Sequence, residues 1–434
     1  TGAGTDFIRM SDYDDDDVIN GGAGTDTLSV GAIVASTVAA PLQIQAVGNF
    51  IDVTPGTSGT STPQFTGVET VYMQAILATD NVEGAANVLT HESIDFSSTS
   101  GISNLYLEID DDDVAGLGAL NNQGVLTLSE VDAAAIHLVD RDTDDNLGEL
   151  VVVGAGQASL TVKGYDLDGG TDLTVSDVDA LTITAYQTSA TVTVGDTAFG
   201  DVEADDAETV TVTAASQAAA LSGQSLTLAS LSADGATAIN LNAGSNIFLD
   251  VTGDVTSTSE SLDTMAITVS DDGRLDVNDI RTTASEMTSA TISIGVAGSF
   301  TAADEVDLAS VEDVTITVGA AGTFDVNDLI AGGDVVINAT MASVINVDNY
   351  GGTGITGTYD LNGRGTHIKS IVIAGTTTLN VAGFTDSATN NAGNAWAIST
   401  AANENVTFVG NDRITGITTG NGTNSVTTGS AIDT

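Results

Sequence analysis

The residues in this chain best suited to chemistry are carboxylates and glycines set nine positions apart. Gly21-Gly22-Ala23-Gly24-Thr25-Asp26-Thr27-Leu28-Ser29 fits the frame G-G-x-G-x-D-x-U-x, with U apolar, at every fixed position. The glycines permit a tight turn whose carbonyls point inward, at φ values other residues avoid. The aspartate supplies a hard carboxylate oxygen, which suits calcium, and Leu28 opens a short strand that points into the interior. A calcium ion takes about six to eight oxygens, so one turn needs others stacked on it. Neighbours are present. Thr1-Gly2-Ala3-Gly4-Thr5-Asp6-Phe7-Ile8-Arg9 departs from the frame only at its first position. Asp17 stands nine residues before Asp26 and is followed by Val18 and Ile19, with Asp14, Asp15 and Asp16 in place of the glycines. Near the other end, Gly410-Asn411-Asp412-Arg413-Ile414 keeps G-x-D-x-U, and Gly420 to Val426 keeps glycines but has Asn424 where the aspartate belongs. The candidate metal-binding residues are therefore Gly2, Gly4, Asp6, Asp14, Asp15, Asp16, Asp17, Gly22, Gly24, Asp26 and Asp412. Asp6, Asp17 and Asp26 are expected to form one group of close like charges.

Further acidic clusters could bind calcium at strand ends or be solvated turns. Asp110 and Asp112 lie in a run of four aspartates after the apolar segment Leu105 to Ile109. Asp140, Asp142 and Asp144 have D-x-D-x-D spacing but lack the glycine and terminal glutamate of an EF-hand. Asp166, Asp168 and Asp172 surround Gly169-Gly170, and the D-V-N-D segments at Asp276 and Asp325 read as weaker acidic turns. Catalysis finds little support. His91, His137 and His367 are far apart and none has zinc-site spacing. No G-x-S-x-G elbow occurs. A β-helical polysaccharide lyase or epimerase needs basic residues against uronate carboxylates, and the chain has 8 Lys and Arg in all.

The elements that must position these turns show as a repeat. Met265-Ala266-Ile267-Thr268-Val269, Ala290-Thr291-Ile292-Ser293-Ile294 and Val314-Thr315-Ile316-Thr317-Val318 follow one another at steps of 25 (292 − 267) and 24 (316 − 292). A second strand, at Leu275, Phe300 and Phe324, keeps the same steps. Alternating apolar residues at such a period, broken by Gly, Asn and Asp, predict an all-β, parallel β-solenoid or β-roll. Each coil would bury an aliphatic face on its neighbours and carry Thr ladders outside, and large aromatics are expected not to fit the narrow interior. A hairpin β-sandwich is the alternative over Leu105 to Tyr186. Val34 to Gln45 reads as a short helix or an insertion, and Thr54 to Ser61 as a turn-rich loop. The expected organisation is a calcium-binding block over 1–30, a connecting segment over 31–67 and a β-rich region with acidic loops over 68–205. A repetitive solenoid over 206–405 and a degenerate nonapeptide block over 406–434 complete it.

The chain has 434 residues, 60 acidic and 8 basic, with a net charge of −52. That balance excludes nucleic acid as a partner and opposes bare anionic lipid. Charge of this size must be offset in a packed chain, by divalent cations or through adaptation to high salt. Without cysteine there is no disulfide framework, thiol nucleophile or Cys zinc site. No stretch is apolar for long enough to cross a membrane as a helix. The sequence begins at Thr1 inside a motif and reads as part of a larger polypeptide.

With its nonapeptides and the step Gly67-Val68-Glu69-Thr70-Val71, the chain resembles the RTX class of secreted calcium-binding proteins, and within it the self-assembling bacterial surface-layer proteins. The resemblance implies several bound calcium ions, type I secretion and an extracellular place at the bacterial cell surface. It implies a structural, non-enzymatic role in a lattice or filament of identical copies, with calcium acting as a folding switch. The alternative is a calcium-stiffened adhesin or biofilm-matrix protein that binds cells or polysaccharide.

Overall fold

In the computed structural model nearly every described segment is a parallel β-strand, and strands pair with the next strand but one. The residues described are 2–10, 18–30, 60–61, 64–77, 91–111, 125–139, 148–165, 167–185, 197–204, 206–216, 224–283, 287–309, 311, 313–332 and 334–350, with short strands at 356–367, 370–373, 376–380, 384–386, 397–400, 407–409, 416–418 and 425–427. Parallel neighbours need a crossover, which in most folds is a helix. Here the crossover is a strand of a second ladder, so each coil is two strands and two corners, and the fold is a β-solenoid. Among the described residues no helix is long and apolar enough to cross a membrane.

The chain divides into two units, residues 1–212 with 224–229 and residues 213–223 with 230–434. In the first, one ladder runs Phe7–Met10, Thr27–Val30, Thr70–Leu77, Asn104–Asp111, Ala135–Val139, Leu160–Tyr165, Ala180–Ala185. The other runs Thr60–Ser61, His91–Asp95, Val125–Val131, Glu149–Gln157, Asp168–Val178, Thr197–Glu203. These pairings are all parallel across Leu105 to Tyr186, which removes the hairpin sandwich. Val34 to Gln45 lies outside the described residues, as does most of Thr54 to Ser61.

In the second unit the observed register reproduces the 24- and 25-residue steps: Ile267 pairs with Ile292 and Ile292 with Ile316, while Leu275 pairs with Phe300 and Phe300 with Phe324. The strand Asp334–Tyr350 serves both ladders, its first part on Asp313–Val318 and its second on Thr323–Ala331. Asp276 and Asp325 are strand residues, not turns. The D-V-N-D segments alternate as the strand does, with Val277 and Val326 buried between polar neighbours.

The interior is the expected column of aliphatic side chains, with one correction. Phe96, Phe199, Phe300 and Phe324 are among the largest fully buried side chains, and Phe300 stacks on Phe324 at 5.7 Å between centroids and 14° between planes. Small residues make this possible, because the coil that buries Phe300 also buries Ala290 and Ala302. Where the first strand of a coil turns into the second, Asn246, Asp272, Ala297 and Ala321 occupy equivalent left-handed positions, with φ of 55–58°. Asp272 and Ala297 donate their amides to the next coil, at Val296 O and Ala320 O, both 2.9 Å.

Candidate metal centre

Three coils of the first unit bring the nonapeptide acids into line. Phe7 pairs with Thr27 and Thr27 with Thr70, so the residues just before them, Asp6, Asp26 and Glu69, occupy the same place in successive coils. Backbone bonds lock the column: Thr27 donates to Asp6 O at 2.9 Å, and Glu69 and Thr70 both donate to Asp26 O at 3.1 Å. The side chains follow the same pattern. The Asp6 amide donates to Asp26 Oδ1 at 2.8 Å, and the Asp26 amide donates to Glu69 Oε2 at 2.6 Å. Each carboxylate thus accepts the amide of the acid one coil earlier.

Asp26 is 0% exposed, and its second oxygen, Oδ2, is buried without a hydrogen-bond partner. A buried carboxylate oxygen left unpaired is costly, more so than a neutral group. The glycines show what surrounds it. A Cβ on Gly21 would fall on the Gly67 carbonyl oxygen and within 2.8 Å of Asp26 Oδ2, so these two oxygens converge on the space the missing side chain leaves. In the same turn Gly24 has φ of 147°, and a Cβ there would collide with Gly4 O of the preceding coil. The glycine turns are also hydrogen-bonded to each other, Gly4 N to Ala23 O at 2.7 Å and Ala23 N to Gly2 O at 3.2 Å.

An orphaned anionic oxygen beside an inward carbonyl fits a hard cation, and oxygen donors of this kind suit calcium. Among the described residues no three acidic or histidine side chains are grouped to hold a metal by themselves. The remaining donors would have to be backbone carbonyls, as the glycine frame expects. Bound there, a cation would cancel the buried charge and tie the coil of Gly21 to that of Gly67.

The other sequence candidates are distributed as follows. Asp14, Asp15, Asp16, Asp17, Asp112, Asp140, Asp142, Asp144, Asp166 and Asp412 lie outside the described residues. The strand that follows Asp17, Val18–Asn20, pairs with Gln64–Thr66 rather than with the strands after Asp6 and Asp26. Asp17 itself lies outside the described residues, so of the group expected for Asp6, Asp17 and Asp26 the described members are Asp6 and Asp26, which stand 20 residues apart in one column with Glu69. Asp110 falls within the strand Asn104–Asp111 and Asp168 begins Asp168–Val178. Asp172 is a strand residue whose Oδ1 accepts the Asp201 amide at 2.8 Å. Glu69 appeared in the sequence only as part of a family-like step. Its signal was the shared order acid, Thr, apolar in Asp26-Thr27-Leu28 and Glu69-Thr70-Val71.

Two other polar clusters have different chemistry. In the second unit Arg281 ties acids from three coils: Asp279 at 2.5 Å, Glu305 at 2.7 Å and Asp254 at 3.6 Å. Asp279 is 2% exposed and also accepts the Glu305 amide at 2.9 Å. The guanidinium's bond to Glu305 and the charge of Asp279 raise the Arg281 pKa, so it stays cationic. Arg274 likewise pairs with Asp276 and lies over the Phe248 ring, 4.6 Å from its centroid. Burial and the neighbouring Asp276 raise the pKa of Asp250. In the first unit Tyr72, Tyr106, His137 and Lys163 share one outward column, with ring centroids 4.6 Å and 4.1 Å apart. His137 is 3% exposed, lies 3.1 Å from Asn104 Oδ1 through Nε2, and has its pKa lowered to about 4 by burial and then by Lys163. This column holds no carboxylate and is not part of the candidate metal centre.

No known protein family, curated protein or solved structure matches the chain.

Proposed function

We infer that this chain is a calcium-stabilised structural protein of the bacterial cell exterior, exported by type I secretion, that assembles with its own copies into a surface layer. The observation that carries the calcium part is Asp26 Oδ2, a fully buried and unpaired carboxylate oxygen set between stacked glycine turns. The solenoid supports a scaffold role, since its conserved geometry from coil to coil builds a long framework from short repeats. Assembly follows from the resemblance to surface-layer proteins and from the charge of −52, which keeps copies apart until cations offset it. Before export the acidic turns repel one another; outside the cell calcium would join them and complete the fold. Repulsion between copies is screened over about 8 Å in physiological salt. Sodium should therefore allow approach, and calcium should add order.

The test is light scattering followed by electron microscopy, in millimolar calcium and in sodium at matched ionic strength. Ordered sheets or filaments in calcium alone support the reading. Equal assembly in sodium would reduce calcium to a screening ion. Monomers in both, with retention on polysaccharide or on cells, would replace the surface layer with an adhesin.

A further inference from the structure

In a chain of net charge −52, one sheet face of the second unit is almost without charge. It is formed by Ala238–Ala243, Thr264–Val269, Ser289–Ile294, Asp313–Val318 and the first part of Asp334–Tyr350, paired in parallel and in register. Their inward residues, such as Ile267, Ile292 and Ile316, are buried. The outward residues form two columns, from Asn240 through Thr291 to Val336 and from Asn242 through Ser293 to Asn338, and neither holds a charged residue. Thr268, Thr291, Ser293, Thr315, Thr317 and Asn338 are exposed. Charge returns at the margins, where Asp313 pairs with Asp334 and the strand beyond the face pairs Asp360 with Val336. The other ladder of the same unit is the opposite: Asp250 pairs with Asp276, Asp254 with Asp279, and Glu305 with Asp328.

We propose that this hydroxyl-rich face is where a second copy of the chain docks during assembly; the proposal rests on the self-assembly reading above. Two copies meeting through most other surfaces would set carboxylates against carboxylates, and like charges face to face are strongly unfavourable. Here neutral Thr, Ser and Asn side chains can meet and exchange hydrogen bonds, each hydroxyl both donating and accepting. Size also points to a copy in a lattice and not to a free dimer. Five strands of about 4.8 Å spacing, six residues long at about 3.3 Å each, present about 500 Å². A pair would bury about 1,000 Å², below the roughly 1,200 Å² at which free complexes begin to persist. Such a contact is weak alone and gains strength only when repeated, so a growing layer can correct misplaced copies.

The test places charge on the face without touching the interior. Thr291→Glu with Thr317→Glu is compared with Ala303→Glu plus Thr283→Glu, which adds the same charge at exposed positions elsewhere in the unit. Circular dichroism and the calcium dependence of melting confirm the fold, and Ser293→Glu alone replaces the first pair if that pair does not fold. The face variant should raise the protein concentration needed for calcium-driven assembly by about tenfold or more, since it sets like charges against each other. The control should assemble as the unaltered chain does. If face variant and control assemble alike while the unaltered chain forms ordered layers, the docking face is wrong and the surface-layer reading survives. If the unaltered chain forms none, both fall. Binding of the unaltered chain to insoluble cellulose that is lost only in the face variant, with assembly intact, would overturn the second copy in favour of a neutral glycan.

Discussion

Asp26→Asn should change sign in its effect on stability as calcium is added. Asparagine has the size and shape of aspartate and keeps the Oδ1 that accepts the Asp6 amide. Its amide nitrogen takes the place of Oδ2, next to the Gly67 carbonyl that converges on the same space. In chelator, the substitution removes a fully buried, unpaired anionic oxygen and supplies a donor. Relieving an unsatisfied buried group is worth about 1–3 kcal/mol, so the variant should be more stable than the parent by about 1 kcal/mol or more. In calcium the order reverses. A site filled at about a thousand times its Kd stabilises by about 4.1 kcal/mol, and a roughly hundredfold loss of affinity on removing the carboxylate oxygen cuts that to about 1.4 kcal/mol, a difference larger than the gain of about 1 kcal/mol in chelator. For a unit of this size, 1 kcal/mol moves Tm by about 2–4 °C. Scanning calorimetry across a calcium titration reads the crossover, and hydrogen exchange at the Asp6 amide reports it locally. Equal calcium gains in both proteins, or an asparagine variant less stable in chelator, would show that Oδ2 is not a cation ligand.

Other outcomes follow from the rest of the fold. Ala297→Gly should stabilise by about 0.5–1 kcal/mol: a left-handed alanine costs about 1–2 kcal/mol, partly offset by the greater unfolded-state entropy of glycine. Urea unfolding checks this, with Ala303→Gly, in a strand, expected to destabilise. Phe300→Ala should cost about 3–5 kcal/mol by emptying the space over Phe324, while Phe7→Ala, at a side chain 59% exposed, should have little effect on the same unfolding curve. His137 has a folded pKa of about 4, below the ordinary 6.5, so its contribution is intact above pH 6.5 and is lost as pH falls toward 4. The unfolded state then binds the extra proton, and at about 1.4 kcal/mol per unit the loss reaches about 3 kcal/mol. The difference between Tm–pH profiles of the parent and His137→Gln isolates this from the carboxylates, and parallel profiles would refute it.

Much of the molecule was legible in its residues. The alternation of Met265-Ala266-Ile267-Thr268-Val269 identified the inward positions, because a strand has period two whatever surrounds it. The 24- and 25-residue steps matched the register because coils of equal length must stack like on like. The glycines around Asp26 were equally readable, since Gly24 has a backbone angle few other residues adopt. Phe300 in the interior was not readable, because its fit depends on Ala290 and Ala302 elsewhere in the same coil. Nor was the ion-pair hub at Arg281, whose three acids come from three strands.

The sequence alone determined the local chemistry of each turn: which residue carries the carboxylate, where the chain can bend sharply and which face of each strand is apolar. Only the tertiary structure decided which turns meet. Asp26 accepts from Asp6, 20 residues away, yet the Asp26 amide donates to Glu69, 43 residues away. Asp17, nine residues from Asp26, precedes a strand paired on the other side of the coil. Ladder hydrogen bonds fix register between coils without regard to the length of chain that joins them. An intervening segment can therefore lengthen freely while the carboxylate column stays in line, and no count along the sequence reveals that the column ends on Glu69.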